Sequence, residues 1–109
     1  MGKKGIWIRG VEHLKRVLKE SRTRFKVQAA FLFGSRAESE QEFLEESDWD
    51  LMIISDEFEG FPFPDRTTLF LREVPIRRAD VFCYTNCEVA ERKEEIGLVR
   101  AALKGIKLS

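Results

Sequence analysis

The sequence predicts an α+β fold of the α/β kind, in which a single mixed β-sheet has helices packed against it. Three observations carry this. Three short apolar runs of strand length, at 27–33 (VQAAFLF), 49–55 (WDLMIIS) and 79–84 (ADVFCY), are rich in bulky residues and bounded by polar or glycine-containing turns. Between and around them lie segments whose apolar residues recur at three- and four-residue steps, the mark of helices with one buried face. The chain has 109 residues, enough for one hydrophobic core and too few for two, so a single domain spanning 1–109 with one sheet is the economical architecture.

Taken in order, 11–25 is an amphipathic helix, because Val11, Leu14, Val17, Leu18 and Phe25 fall mostly on one stripe among Lys, Arg and Glu. The run 27–33 reads as a strand buried on both faces and halted by Gly34, where a Gly34-Ser35 turn begins. Residues 36–44 suit the start of a short helix, with the acidic stretch after it mostly loop. The second strand, 49–55, ends at Ser55-Asp56-Glu57. Gly60-Phe61-Pro62-Phe63-Pro64 is a stiff connection, since each proline fixes its own φ and biases the residue before it; its phenylalanines are expected to pin the loop onto the core. Asp65 suits the cap of a helix to Glu73 with Leu69 and Phe70 turned inward, and Pro75 ends it. The third strand follows at 79–84. Thr85 with Glu88 then matches a capping box for a helix over 87–104, placing Val89, Ile96, Val99 and Leu103 on a core-facing stripe before Gly105 stops it. The tail 106–109 suits an edge strand, within this chain or across two copies in a homo-oligomer.

Composition excludes several classes. The chain is 43% hydrophobic and 35% charged, against about a quarter charged in ordinary globular proteins, so it is neither disordered nor membrane-spanning. No apolar run approaches the roughly 18 residues of a spanning helix. Met1-Gly-Lys-Lys-Gly has none of the marks of a signal peptide, which places the protein in the cytoplasm, where Cys83 and Cys87 are expected to be reduced. A zinc clip lacks ligands, and the single histidine, His13, reads as a helix-surface residue. The net charge of zero hides an asymmetry: ten acidic side chains and no Lys or Arg lie between Glu38 and Glu59. The Lys and Arg elsewhere are spread along amphipathic helices and not gathered into an aromatic-studded patch, which disfavours nucleic-acid binding.

The residues that carry chemistry stand apart from the surface run of glutamates. Asp48 and Asp50 are one residue apart at the start of an apolar strand, so the period of two directs both carboxylates to one side and Trp49 to the other. Two buried carboxylates side by side are costly unless a cation intervenes. Oxygen-only ligands favour Mg2+, or Mn2+, over zinc. Asp80, near the start of the third strand, joins the cluster if that strand neighbours the second, and three such groups suffice for two ions. Upstream, Gly34-Ser35 follows a strand, and its backbone N–H groups and hydroxyl suit phosphate oxygens. Arg36 is placed either to meet a phosphate or to pair with the acidic run.

Gly34-Ser35-Arg36-Ala37, Ser47-Asp48-Trp49-Asp50-Leu51 and Ala79-Asp80-Val81-Phe82 together resemble the signature of the DNA polymerase β-like nucleotidyltransferases, most closely the minimal nucleotidyltransferase family. The resemblance covers the chain from about Val27 onward. It implies a nucleotidyltransferase fold and transfer of a nucleoside monophosphate, commonly AMP from ATP, to an acceptor hydroxyl with release of pyrophosphate. It implies that Gly34 and Ser35 form the nucleotide-binding turn and that Asp48, Asp50 and Asp80 are the catalytic metal ligands in two-metal phosphoryl transfer. The segment between Ser35 and Asp48 is longer and more acidic than is usual in the family, and it lacks the second glycine and basic residue often found there.

Larger relatives carry a further domain for the acceptor, and none is expected from these 109 residues. Members of the minimal family often act beside a small helical HEPN-type protein and resemble antitoxins that adenylylate it. The expected function is therefore ATP- and Mg2+-dependent nucleotidyl transfer to a hydroxyl on a partner protein. The alternative is a non-catalytic module that retains the fold and binds a nucleotide or a partner.

Overall fold

The computed structural model describes residues 5–34 and 49–108. Within them the elements are α1 (Val11–Glu20), β1 (Ala29–Phe33), β2 (Trp49–Ile54), α2 (Phe63–Glu73), β3 (Ala79–Tyr84), α3 (Asn86–Arg92), α4 (Leu98–Leu103) and β4 (Ile106–Lys107). Short 3-10 turns follow α1 at Ser21–Thr23 and β2 at Asp56–Phe58. The short helix expected over 36–44 falls outside the described residues. The strands form one mixed sheet in the order β3-β2-β1-β4. β1 is antiparallel to both β2 and β4, and β2 is parallel to β3, with α2 in the crossover that a parallel pair requires. No helix among the described residues is long and apolar enough to cross a membrane.

Alternation along the strands divides the core in two. Ala30 and Leu32 of β1, Trp49, Leu51 and Ile53 of β2, and Val81 and Cys83 of β3 face one side. There they meet Leu14 and Leu18 of α1, Phe70 of α2, Phe58 of the second 3-10 turn, and Phe25, two residues past the first. Phe25 stands 5.2 Å from the Phe58 ring and 5.6 Å, edge-on, from Phe70, an arrangement aromatic quadrupoles favour. The opposite side is smaller: Met52 and Ile54 are covered by Val99 and Ala102 of α4, with Phe31, Phe33, Tyr84 and Val89 around them. β1 is thus fully buried on one face only, its other face being half-buried, because the second helical layer is short.

Several local expectations are met and others are corrected. The Thr85–Glu88 capping box forms: the Thr85 hydroxyl accepts from Glu88 N–H at 3.2 Å while Glu88 Oε1 accepts from Thr85 N–H at 2.9 Å. β3 spans its expected residues, and the tail pairs as β4 with β1 of the same chain. The expected helix 87–104 is instead two. α3 stops at Arg92, where 91–95 offers only charged side chains and nothing to bury, and α4 starts after extended Gly97. Ile96, between them, is 90% exposed and not core-facing. The break frees α4 to lay Val99 and Ala102 on the sheet. α2 begins at Phe63, not after Asp65: Pro62 is its N-cap and Pro64 lies in the first turn, where a missing N–H costs nothing. Phe61 and Phe63 are not buried in the core, being 43% and 44% exposed, although the Phe63 ring packs edge-on against Tyr84 at 5.4 Å; Phe58 is the buried anchor of that segment, two residues before Gly60.

Candidate functional site

The strand directions decide where the site lies. With β1 antiparallel to β2 and β3 parallel to it, the C-terminal end of β1 and the N-terminal ends of β2 and β3 meet at one edge of the sheet. Asp50 lies directly across from Phe33 on one side and from Asp80 on the other. Both aspartates belong to the face opposite buried Trp49 and Leu51, Asp50 half-buried and Asp80 exposed. In-register residues on neighbouring strands are about 5 Å apart. Two carboxylate charges at that separation repel by about 1 kcal/mol in water and by several-fold more where the effective dielectric falls.

Gly34 completes the edge. Its φ of +82° is the left-handed conformation that side chains disfavour. A Cβ built there would collide with Asp50 Oδ2 and approach Asp50 Cγ to 3.1 Å. The glycine therefore serves two ends at once: it lets β1 turn, and it leaves the space that the Asp50 carboxylate occupies. The sequence reading brought Gly34, Asp50 and Asp80 together, and the structure places these three at one edge. Asp48, Ser35 and Arg36 lie outside the described residues. Among the described residues no group of three or more His, Cys, Asp or Glu side chains gathers as a metal centre. The adjacent pair, Asp50 and Asp80, is a hard-oxygen donor set of the type that suits magnesium or manganese.

Two features escaped the sequence reading. Phe33 and Phe82 share the carboxylate face, and their rings reach toward each other across β2 to a centroid separation of 5.9 Å at 51°. The signal was available: Phe82 is two residues past Asp80, and the residue before Gly34 lies beside Asp50 once β1 and β2 pair antiparallel. At the far end of β3, Arg66 of α2 is 5% exposed. Its Nη1 and Nη2 donate to Glu88 at 2.7 and 3.0 Å, its Nε donates to the Phe61 carbonyl at 2.7 Å, and Nη1 also reaches the Cys83 carbonyl at 3.2 Å. The bidentate hydrogen bonds to Arg66 hold the Glu88 carboxyl below the ordinary carboxylate range, against the opposing effect of burial. Arg66 stands three and four residues before Leu69 and Phe70, on the inner stripe of its helix, which is how a sequence can betray a buried cation.

Other candidates lie elsewhere. His13 accepts from the Arg9 N–H through Nδ1 at 3.1 Å and sits on α1, on the opposite side of the sheet from the aspartates. Cys83 is buried in the core, which pushes its thiol up to about 12, whereas Cys87 is exposed on α3.

A four-stranded mixed sheet that brings a glycine turn and two strand-start aspartates to one edge defines a nucleotidyltransferase-type fold. The comparisons agree. The family model described as polymerase beta, nucleotidyltransferase, matches residues 12–104, and the chain belongs to this family. The crystal structure of a "putative nucleotidyltransferase from Sulfolobus solfataricus" superposes with a TM-score of 0.55 at 21% identity, covering 74% of this chain and 71% of that one. At that identity the likeness speaks for the fold alone. No curated protein matches the sequence.

Proposed function

We propose that the protein transfers a nucleoside monophosphate, AMP from ATP, to a hydroxyl group on a partner protein. The observation that carries this reading is the in-register pair Asp50–Asp80 at the sheet edge, with Gly34 fitted against the Asp50 carboxylate. Family membership supports nucleotidyl transfer in general; the donor, the metal and the acceptor are the proposal.

In this reading Asp50 and Asp80, with Asp48, hold two magnesium ions. The bound metal supplies charge neutralisation for the triphosphate and makes the acceptor hydroxyl more acidic. Gly34 lets the backbone approach the phosphates closely, and the Ser35 hydroxyl and Arg36 guanidinium bind their oxygens. Asp80, the more exposed of the two described carboxylates, takes the acceptor proton directly or through water. The acceptor oxygen then bonds to the α-phosphorus, the bond from that phosphorus to the α–β bridging oxygen breaks, and pyrophosphate leaves. We place a small helical HEPN-type protein in the role of the partner that carries this hydroxyl, with the transferase acting as antitoxin in the cytoplasm.

The test is incubation with ATP labelled at the α-phosphate, magnesium and candidate helical partners. Label is expected on one partner, with stoichiometric pyrophosphate, and is expected to vanish in Asp50→Ala and Asp80→Ala variants that remain folded. Undiminished transfer by those variants would overturn the assignment of the carboxylates. ATP binding with no pyrophosphate released for any acceptor would instead identify a binding module.

A further inference from the structure

We infer that Phe33 and Phe82 form an aromatic seat for the nucleoside part of the donor, adjacent to the carboxylates; this rests on the proposed nucleotidyl transfer. The sheet face that carries Asp50 and Asp80 is divided. At one end Met52 and Ile54 are buried at 0% and 4% exposure beneath Val99 and Ala102 of α4. At the other end Asp50, Phe33 and Phe82 are only half-buried and Asp80 is exposed. The two phenylalanines stand at the boundary. Phe33 is beside Asp50, and Phe82 is beside Met52 and one same-face position along from Asp80. Their rings meet over β2, 5.9 Å apart and tilted by 51°. Phe33 packs against the small core, and along the strands the pair lies next to Asp50 and Asp80.

The chemistry of the neighbours selects the occupant. A nucleoside triphosphate is apolar and planar at one end and polyanionic at the other. The sheet edge offers a glycine turn and metal-ligand carboxylates for the polyanion, and within the same face two aromatic rings for the plane. Phenylalanine has no hydrogen-bonding group, so the rings attract any base through its π-face and read none of its edges. The seat therefore adds affinity without base specificity.

Calorimetry with Mg–ATP, the other three nucleoside triphosphates, and Mg–tripolyphosphate tests this on the intact chain. Stacking on one aromatic is worth roughly 5- to 150-fold in affinity. Phe82→Ala and Phe33→Ala are expected to weaken all four nucleotides by that order while leaving tripolyphosphate unchanged, since it has no base. Phe82→Leu keeps an apolar wall over Met52; it should retain the wild-type unfolding midpoint within error and still lose nucleotide affinity. Variants that bind ATP as tightly as wild type would overturn the seat, as would an equal loss of ATP and tripolyphosphate, which marks a merely structural role. The parent reading fails differently: there the wild type would bind neither ligand in a magnesium-dependent way, or Asp50→Ala would leave both affinities intact.

Discussion

Replacing Gly34 with alanine separates two costs that usually come together. Gly34 and Gly60 have nearly the same backbone, with φ of +82° and +88°, so each substitution incurs the left-handed penalty of about 1–2 kcal/mol. They differ in surroundings. A Cβ at Gly60 meets nothing within 4 Å, whereas one at Gly34 runs into the Asp50 carboxylate. Gly60→Ala is therefore expected to lower stability by about 1–2 kcal/mol and leave nucleotide binding intact. Gly34→Ala should cost at least about 1 kcal/mol more, because Asp50 must leave its position or β1 must part from β2. In a domain of this size each kcal/mol moves the midpoint of thermal unfolding by about 4–8 °C. If Asp50 holds a metal in the proposed transfer, displacing its carboxylate by about 1 Å is expected to reduce that transfer on the order of a hundredfold. Urea unfolding of Gly34→Ala, Asp50→Ala and the double variant closes the cycle: without the carboxylate the excess cost at position 34 should shrink to the Gly60 value. Equal losses for Gly34→Ala and Gly60→Ala, or an excess that survives removal of Asp50, would refute the coupling of turn and carboxylate.

The Arg66–Glu88 pair makes a pH-dependent contribution whose sign is fixed. Glu88 is held below its ordinary value of 4.5 in the folded protein, so the unfolded chain takes up that proton first, and the pair's stabilisation is present above about that pH and lost as the pH falls further. Urea midpoints measured from pH 7 down to 3 should show a flatter acid decline in Glu88→Gln than in wild type. Arg66→Met strips four hydrogen bonds from a buried cation site, and a loss of about 2–4 kcal/mol at pH 7 is expected from equilibrium unfolding. A thiol reagent at pH 8 should modify Cys87 rapidly and Cys83 only as the protein unfolds, since burial pushes the Cys83 thiol up to about 12; mass spectrometry of timed samples checks the order. Ile96→Lys should be neutral within about 0.5 kcal/mol, while Val99→Ala, three residues on, should cost about 2 kcal/mol; a continuous helix over 87–104 with both residues facing the core would make both substitutions costly.

What was legible in the sequence follows from local rules. The three strand runs were found because bulky residues over five or six positions have few other uses. Thr85 and Glu88 announced a helix start because both halves of the capping box lie within four residues. The period of two set Asp50 against Trp49, and they do occupy opposite faces. The reading failed where the outcome depended on what a segment had to bury. Ile96 fits a helical stripe on paper, but the charged stretch before it has no apolar face, and the chain turns there. Phe61 and Phe63 are apolar yet stay half in solvent, because Phe58 already fills the aromatic core with Phe25 and Phe70. The place of Arg66 on the inner stripe of its helix hints at burial, but its partner could not be read locally, because Glu88 is 22 residues away.

The sequence by itself determined the identity of the chemical groups and, through the short-range period of the backbone, which side of its own strand each one takes. Only the tertiary structure decided that Asp50 and Asp80 stand side by side, that Gly34 fits against the first, and that Phe33 and Phe82 close over β2. Those relations depend on strand order, direction and register. These are set by the burial of whole faces against distant helices, not by any residue's immediate neighbours in the chain.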